Sequence, residues 1–191
     1  MSDSLLLFEV PEELVTERLV IRTPLWGDGQ AVHAAIMESM EALRPWMPWA
    51  SDAQTVEETE ANVRAARLKY LERTDLRLHL FDQATGDFVG SSGLHRIDWN
   101  IRRFEIGYWI RTSYGGRGLM TEAVAAITRM AEEALKANRI EIRCDARNLR
   151  SARIAQRVGF TLEGVLRANE RDVEGQLRDT MVFARVRGVE Y

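Results

Sequence analysis

Between Phe104 and Asp145 the chain carries a strand pattern, a glycine-rich turn, a helix pattern and a second strand pattern in unbroken succession. That succession constrains the fold more than any other feature. Phe104-Glu105-Ile106-Gly107-Tyr108-Trp109-Ile110 alternates with the period of two expected of a β-strand. Tyr114-Gly115-Gly116-Arg117-Gly118-Leu119-Met120-Thr121-Glu122-Ala123 then leads into a helical pattern running to Ala137. Leu119, Ala123, Val124, Ile127, Met130, Ala131, Ala134 and Leu135 mark one helical face. Asn138 is a suitable stop, and Arg139 to Asp145 reads as the next strand. A helix of that length between two strands suits a right-handed parallel crossover. A strand, glycine turn and helix also present free N–H groups and the positive end of a helix dipole to a phosphate. Three glycines in four positions let the main chain approach an anion with no Cβ in the way.

The remaining elements follow from the same signals. Arg18 to Arg22 reads as a short strand closed by Pro24. Asp28 to Ser39 reads as a helix, and Pro45 and Pro48 forbid regular helix in Leu43-Arg44-Pro45-Trp46-Met47-Pro48-Trp49. Thr55 with Glu58 makes a capping box for a helix to about Glu72. Leu76 to Leu80, Phe88 to Arg96 and Arg103 to Ile110 read as an antiparallel meander, turning at Ala84-Thr85-Gly86-Asp87 and near Asn100. Ser151 to Val158 is a short helix ended by Gly159, and Phe160 to Leu166 with Leu177 to Val186 closes as a hairpin. The expected class is α/β with a mixed sheet, in the order β-α-α-β-β-β-α-β-α-β-β. A chain of 191 residues with 46 % hydrophobic and 29 % charged residues suits a single domain, taken as residues 1–191.

A net charge of −3 gives no global attraction to nucleic acid or to an anionic membrane. Cys144 is the only cysteine, so no disulfide forms within the chain, which fits a reducing compartment. Asp3, Glu9, Glu12 and Glu13 near the start do not read as a signal peptide, and no apolar run is long enough to span a bilayer. The expectation is a cytoplasmic protein.

The glycine loop lacks the G-x-G-x-x-G dinucleotide fingerprint and the Walker lysine followed by Ser or Thr. The stretch Glu105 to Ala123 resembles instead the acetyl-coenzyme A loop of the GNAT N-acetyltransferases, in detail their RimJ/RimL branch. That family's Q/R-x-x-G-x-G/A pattern falls here on Gly115, Gly118 and Met120. Gly115 replaces the Gln/Arg and Met120 the small residue, changes that a cradle built of backbone N–H groups tolerates. Asn148-Leu149-Arg150-Ser151 followed by Val158-Gly159-Phe160 is similar to the family's N-x-x-S/A…G-F segment. The resemblance runs from about Thr16 to Val186.

The resemblance implies acetyl-CoA as cofactor. It implies contacts from Gly115, Gly116, Arg117, Gly118, Leu119 and Met120 to the pyrophosphate, with Arg117 standing in for the lost Gln/Arg side chain. Asn148 would bind the pantetheine arm where two central strands splay, its other reading being a turn or helix cap. The donor to the thioester oxygen would be a backbone N–H near Trp109, Ile110 or Arg111. Many relatives carry a tyrosine acid four residues after the S/A position, where this chain has Ala155. Ser151 is the substitute acid, or else an N-cap. A base must take a proton from the acceptor ammonium. Glu105 and Glu170 are the two candidates, and a base acting through water is a third.

Cys144 reads as a small buried thiol. His33, His79 and His95 have no metal spacing and read as ordinary sheet or surface residues, so no metal is expected. Trp46 and Trp49 read either as an apolar wall for a peptide N-terminus or as a cap on the core. With no nucleophile positioned to form an acyl-enzyme, the amine attacks directly. The acceptor implied by the resemblance is a protein N-terminal amine, as on ribosomal proteins. A small-molecule amine is the alternative, which a strongly acidic pocket would favour if polycationic. A non-catalytic acyl-CoA-binding module stands as a third reading. Neither nucleic acid nor membrane is an expected partner, and a homodimer is left open.

Overall fold

The computed structural model describes residues 5–50 and 53–191. Asp3, on which the reading of the N-terminus partly rests, lies outside them. The strands are β1 (Glu13–Val15), β2 (Leu19–Arg22), β3 (Leu76–Asp82), β4 (Phe88–Asp98), β5 (Arg103–Ile110), β6 (Arg139–Asp145), β7 (Thr161–Arg171) and β8 (Leu177–Val186). The helices are α1 (Gly29–Leu43), α2 (Val56–Leu71), α3 (Leu119–Glu133) and α4 (Leu149–Arg157). The strands form one sheet in the order β1-β2-β3-β4-β5-β6-β8-β7. Every pair is antiparallel except β5 with β6, which is parallel. The mixed α/β class and the crossover helix between β5 and β6 are as the sequence leads one to expect.

Apart from shifts of one or two residues at other ends, four differences stand out, each with a local reason. β1 is an added edge strand of three residues in which only Leu14 turns toward the core, too short to register as a period. α1 continues past Ser39 to Leu43, and Arg44 keeps helical backbone as its C-cap; the ladder ends there because Pro45 has no N–H to donate. α3 ends at Glu133 rather than Ala137. There Leu135 N–H turns back to Met130 O, Lys136 takes a φ of 53°, and Ala137 N–H bonds Ala131 O. Leu135 and Ala137 stay fully buried, so the apolar pattern persists after the helix has closed. β7 runs beyond Leu166 to Arg171 through a register irregularity that contains Ala168, at φ 49°.

The two sheet faces differ. Phe104, Ile106, Ile140, Ile142 and Phe183 pack with Leu119, Val124 and Ile127 of α3 and Ala155 of α4 in the main core. The opposite face, under α1 and α2, holds a smaller cluster of Val32, Ala35, Val63 and Phe88. Beside that cluster are polar groups. His79 is buried, with Nδ1 2.9 Å from Asp28 Oδ2. Asp28 in turn accepts two bonds from Arg22, at 2.7 and 2.8 Å. Burial depresses the His79 imidazole below its ordinary value of 6.5, outweighing the Asp28 hydrogen bond. For Asp28 burial works the other way, but bonds from Arg22 and His79 hold its carboxyl well below the usual range.

Both shifts make folding release protons as pH falls, so both contributions to stability are lost toward acid. For His79 the loss begins as pH drops below about 6.5, where the unfolded imidazole protonates and the folded one does not. For Asp28 it begins near pH 4, where the unfolded carboxylate protonates. Urea unfolding should therefore show falling stability from pH 7 to 4. His79→Gln should lose less than the parent protein between pH 7 and 5, and an equal loss would contradict the assignment.

Candidate active site

Where β5 ends, the chain passes through a short 3-10 turn, Thr112–Tyr114, into Gly115-Gly116-Arg117-Gly118 and then α3. α1 anchors the entry: Glu38 accepts from Arg111 Nε at 2.6 Å and from Ser113 N–H at 2.8 Å, while Ser39 Oγ accepts from Thr112 N–H at 2.9 Å. Tyr114 donates its hydroxyl to Asp87 at 2.7 Å. Gly116 and Gly118 take φ of 77° and 79°, a left-handed backbone that glycine adopts without Cβ strain. After Gly115, whose N–H bonds Thr112 O, no backbone N–H from Gly116 to Thr121 has a partner among the described residues. The next one paired is Glu122, to Gly118 O at 3.1 Å. Six successive free donors at a helix N-terminus form an anion cradle of the kind phosphates occupy. These residues therefore fit the pyrophosphate of acetyl-CoA.

The side chains of the loop do other work. Leu119 and Met120 are buried in the main core, so the Met at a small-residue position points away from the cradle. The Arg117 guanidinium lies 4.9 Å over the Tyr114 ring and donates to Ser113 O at 2.9 Å. Its main-chain carbonyl accepts from Arg18 at 2.9 Å, and Arg18 Nε donates to Glu122 at 2.7 Å. Thr16 Oγ1 also donates to Glu122, at 2.7 Å. Burial alone would raise the Glu122 carboxyl, but Thr16 and Arg18 hold it below its usual range. The turn between β1 and β2 thus clamps the first turn of α3.

β5 and β6 pair only over Arg103–Glu105 with Arg139–Glu141. Beyond Glu105 they separate, while β5 stays paired to β4 as far as Ile110 and β6 to β8 as far as Asp145. Arg111 N–H bonds Val89 O on the β4 side, so strand alternation turns the N–H groups of Tyr108 and Ile110 into the gap. The backbone of Trp109 faces β4. Its indole lies on the α1/α2 face, with ring centroids 5.9 Å from Trp49 and 5.7 Å from Phe88.

Across the gap, Asn148 caps α4 by accepting from Ser151 N–H at 3.1 Å. Its side-chain N–H₂ has no partner among the described residues. Ser151 Oγ lies 2.9 Å from the Tyr108 hydroxyl, which also donates to Ser151 O at 3.0 Å. Burial pushes the Tyr108 phenol well above its ordinary range, and pushes up the neighbouring Cys144 thiol. Ala155 is fully buried against the sheet. The tyrosine hydroxyl beside Ser151 thus comes from β5, forty-three positions away, where no local spacing could reveal it.

On the other face lies a cavity of about 310 Å³, bordered by Met47, Trp49, Asn62, Arg77, His79, His95, Gly107 and Trp109 among others. No Asp or Glu lines it among the described residues. Of the two tryptophans around Pro48, Trp49 reaches this wall and Trp46 does not. Glu105 is on this face of β5, directly across from His95, with Arg96 Nη1 at 3.4 Å. Burial pushes the Glu105 carboxyl up, against the pull of Arg96 and Arg143. Glu170 lies elsewhere, on β7, ion-paired with Arg178. His95 Nδ1 is 2.7 Å from Asp75 Oδ2, and His33 Nε2 is 2.9 Å from Gln54 O. From the sequence all three histidines read as ordinary; in the structure two of them, His79 and His95, stand in Asp–His pairs on the cavity wall. Partners twenty and fifty-one residues apart leave no motif. No group of metal-ligating side chains occurs among the described residues, and no helix there is long and apolar enough to cross a membrane.

Residues 18–161 match the model of the acetyltransferase (GNAT) domain. The chain is 30 % identical to the Bacillus subtilis protein named "Putative ribosomal N-acetyltransferase YdaF", over 80 % of this chain and 83 % of that one. It is 24 % identical to the ribosomal-protein-serine acetyltransferase of Escherichia coli, over 90 % and 94 % of the two chains. In structure it resembles RimL, the ribosomal L7/L12 alpha-N-protein acetyltransferase solved with coenzyme A. The TM-score is 0.84 at 24 % identity, covering 91 % of this chain and 96 % of that one. The chain belongs to the GNAT acetyltransferase family and is an acetyl-CoA-dependent N-acetyltransferase.

Proposed function

We propose that the protein acetylates the α-amine of a protein N-terminus, of the kind found on ribosomal proteins, in the cytoplasm. The observation that carries this reading is the cavity beside the splay of β5 and β6. It is walled by Trp49 and Trp109 and lined by no carboxylate among the described residues. An apolar, aromatic wall suits the first side chain of a peptide. A polyamine or aminoglycoside would bring several positive charges to Arg77 and two histidines with no lining carboxylate to receive them. The names of the relatives, which refer to ribosomal proteins, support the same acceptor class.

In this reading the free N–H groups of residues 116–121 hold the pyrophosphate. Gly115, Gly116 and Gly118 keep Cβ atoms out of its way, and Arg117, Leu119 and Met120 contribute backbone only. The gap-facing edge of β5 at Tyr108 and Ile110, under the Trp109 corner, and the free amide N–H₂ of Asn148 take the pantetheine arm. Acetyl-CoA, when bound, supplies the thioester carbonyl that the amine attacks and the thiolate that leaves. Ser151 gives the leaving thiolate its proton. The Tyr108 phenol, pushed up by burial, keeps its own proton at neutral pH and orients the serine hydroxyl. The proton of the acceptor leaves on the cavity face of β5. Neither glutamate lines the cavity, but Glu105 stands on that face of β5 opposite the lining residue His95, whereas Glu170 is tied to Arg178 on β7.

Release of free CoA thiol should be measured across N-terminal peptides, polyamines and aminoglycosides. The expected result is turnover with peptides and none above background with the polycations; the reverse pattern would overturn the acceptor assignment, and no release with any amine would favour a binding module.

Gly118→Glu should abolish acetyl-CoA binding in a calorimetric titration while the thermal midpoint shifts by only a few degrees. Gly118→Ala carries the left-handed backbone strain without the charge, and it should still bind measurably. Unchanged affinity in Gly118→Glu would sink the loop assignment. Ser151→Ala should lower kcat about 100-fold with KM for acetyl-CoA little changed. Tyr108→Phe should lower kcat less, since the serine hydroxyl remains. An unchanged kcat in Ser151→Ala would exclude Ser151 as the acid.

A further inference from the structure

We propose that His95, oriented by Asp75, is the general base that takes the proton from the acceptor amine, with Glu105 acting on the imidazole from the adjacent strand. The inference rests on the cavity being the acceptor site and names the group that acts there. Asp75 Oδ2 accepts from Nδ1 at 2.7 Å, which leaves the basic lone pair on Nε2. Nε2 has no protein partner among the described residues. It lies 3.4 Å from the place a Cβ of Gly107 would occupy, and Cε1 lies 3.2 Å from that of Gly93. Gly93 and Gly107 are opposite one another on β4 and β5, so two absent side chains make the floor on which the ring rests. Gly107 is two residues past the last rung joining β5 to β6. The free nitrogen therefore borders the cavity beside the start of the splay, where the acceptor meets the thioester in the reading above.

Charged groups face the ring from each neighbouring element. Asp75 touches it from the turn before β3, and Glu105 lies opposite it on β5. Arg77 approaches along β3, its guanidinium held by the neutral Asn62 of α2 at 2.6 Å. His79 follows farther along β3, with its own partner Asp28 before α1. Arg96, the next residue of β4, is 3.4 Å from Glu105. Arg143 and Glu141 of β6 act on Glu105 with opposite sign. Carboxylates thus stand against the ring from the turn before β3 and from β5, and imidazole is the side chain whose ordinary chemistry accepts a proton from an amine near neutral pH.

The step balances simply. The ammonium gives one proton to Nε2, which passes it to solvent. The neutral amine forms the N–C bond to the acetyl carbon as the C–S bond breaks and the sulfur keeps the pair. The remaining amine proton lost on amide formation equals the one the thiolate takes up.

The test combines kcat–pH profiles, at saturating acetyl-CoA and N-terminal peptide, with NMR titration of ¹³C-histidine-labelled protein. Wild-type transfer to the peptide is established first in the same assay. Loss of the acceptor reading would then appear in the parent protein, and loss of this proposal only in the variants. His95→Gln should lower kcat about 100-fold or more and remove the acidic limb, with acetyl-CoA affinity unchanged. Asp75→Asn should lower kcat and keep the limb but move it, because the ring loses the carboxylate that orients it. The His95 NMR titration should move with it. Glu105→Gln should also keep a limb. The proposal is overturned if His95→Gln retains the limb, if Glu105→Gln alone removes it, or if the NMR midpoint stays fixed while the kinetic limb moves.

Discussion

The structure depends on a parallel ladder only three residues long, between Arg103–Glu105 and Arg139–Glu141. A longer ladder would close the sheet and satisfy every backbone group along β5. By ending at Glu105, it leaves the gap-facing N–H and C=O groups of Tyr108 and Ile110 without strand partners. Each such group costs about 1–3 kcal/mol if buried without a partner, so the gap is stable only as a wet or ligand-filled cleft. Two sheet halves joined so briefly need support from below. Phe104, Ile140 and Phe183 provide it by packing under α3 and α4, so that one apolar core spans the split.

The split also assigns different work to the two faces. Under α3 and α4 the strands are apolar, and what they offer is backbone: the edge of β5 and the free N–H groups at the start of α3. Under α1 and α2 they carry Arg77, His79, His95 and Glu105, and what they offer is charge and hydrogen bonding. A long anionic cofactor suits backbone donors, since phosphate is recognised by N–H groups and a helix dipole regardless of side chain. An amine that must lose a proton needs titratable side chains. The period of two along β5 places both kinds of group on one strand, Tyr108 on one face and Glu105, Gly107 and Trp109 on the other.

What the sequence made legible was local. The strand Arg139–Asp145, the Thr55 capping box and the glycine turn before α3 each lie within about ten residues, where spacing alone carries the signal. Groups brought together only by the tertiary fold were invisible: Asp75 before β3 with His95 of β4, Asp28 before α1 with His79 of β3, and Tyr108 of β5 with Ser151 of α4. The sheet order and the seating of the helices on it decide these meetings, and no local period encodes them. Even α3 illustrates the limit. Its apolar pattern continued to Ala137 because Leu135 and Ala137 remain in the core after Lys136 has turned the chain out of the helix.

The departures from the family pattern follow the same division. Gly115 and Met120 alter side chains at a site built from backbone, and the run of free N–H groups is intact because both residues keep their main-chain course. Ala155 is a departure of another kind, since it removes a hydroxyl that only a side chain can supply. Here the fold sets a tyrosine from the opposite strand beside the serine at the head of α4, and the small alanine lets that helix sit directly on the sheet. A hydroxyl arriving from β5 has its position fixed by the strand that also forms the gap. Its height above the cleft is therefore tied to the three-residue ladder, and any change that lengthened the ladder would close the cleft and displace that hydroxyl together.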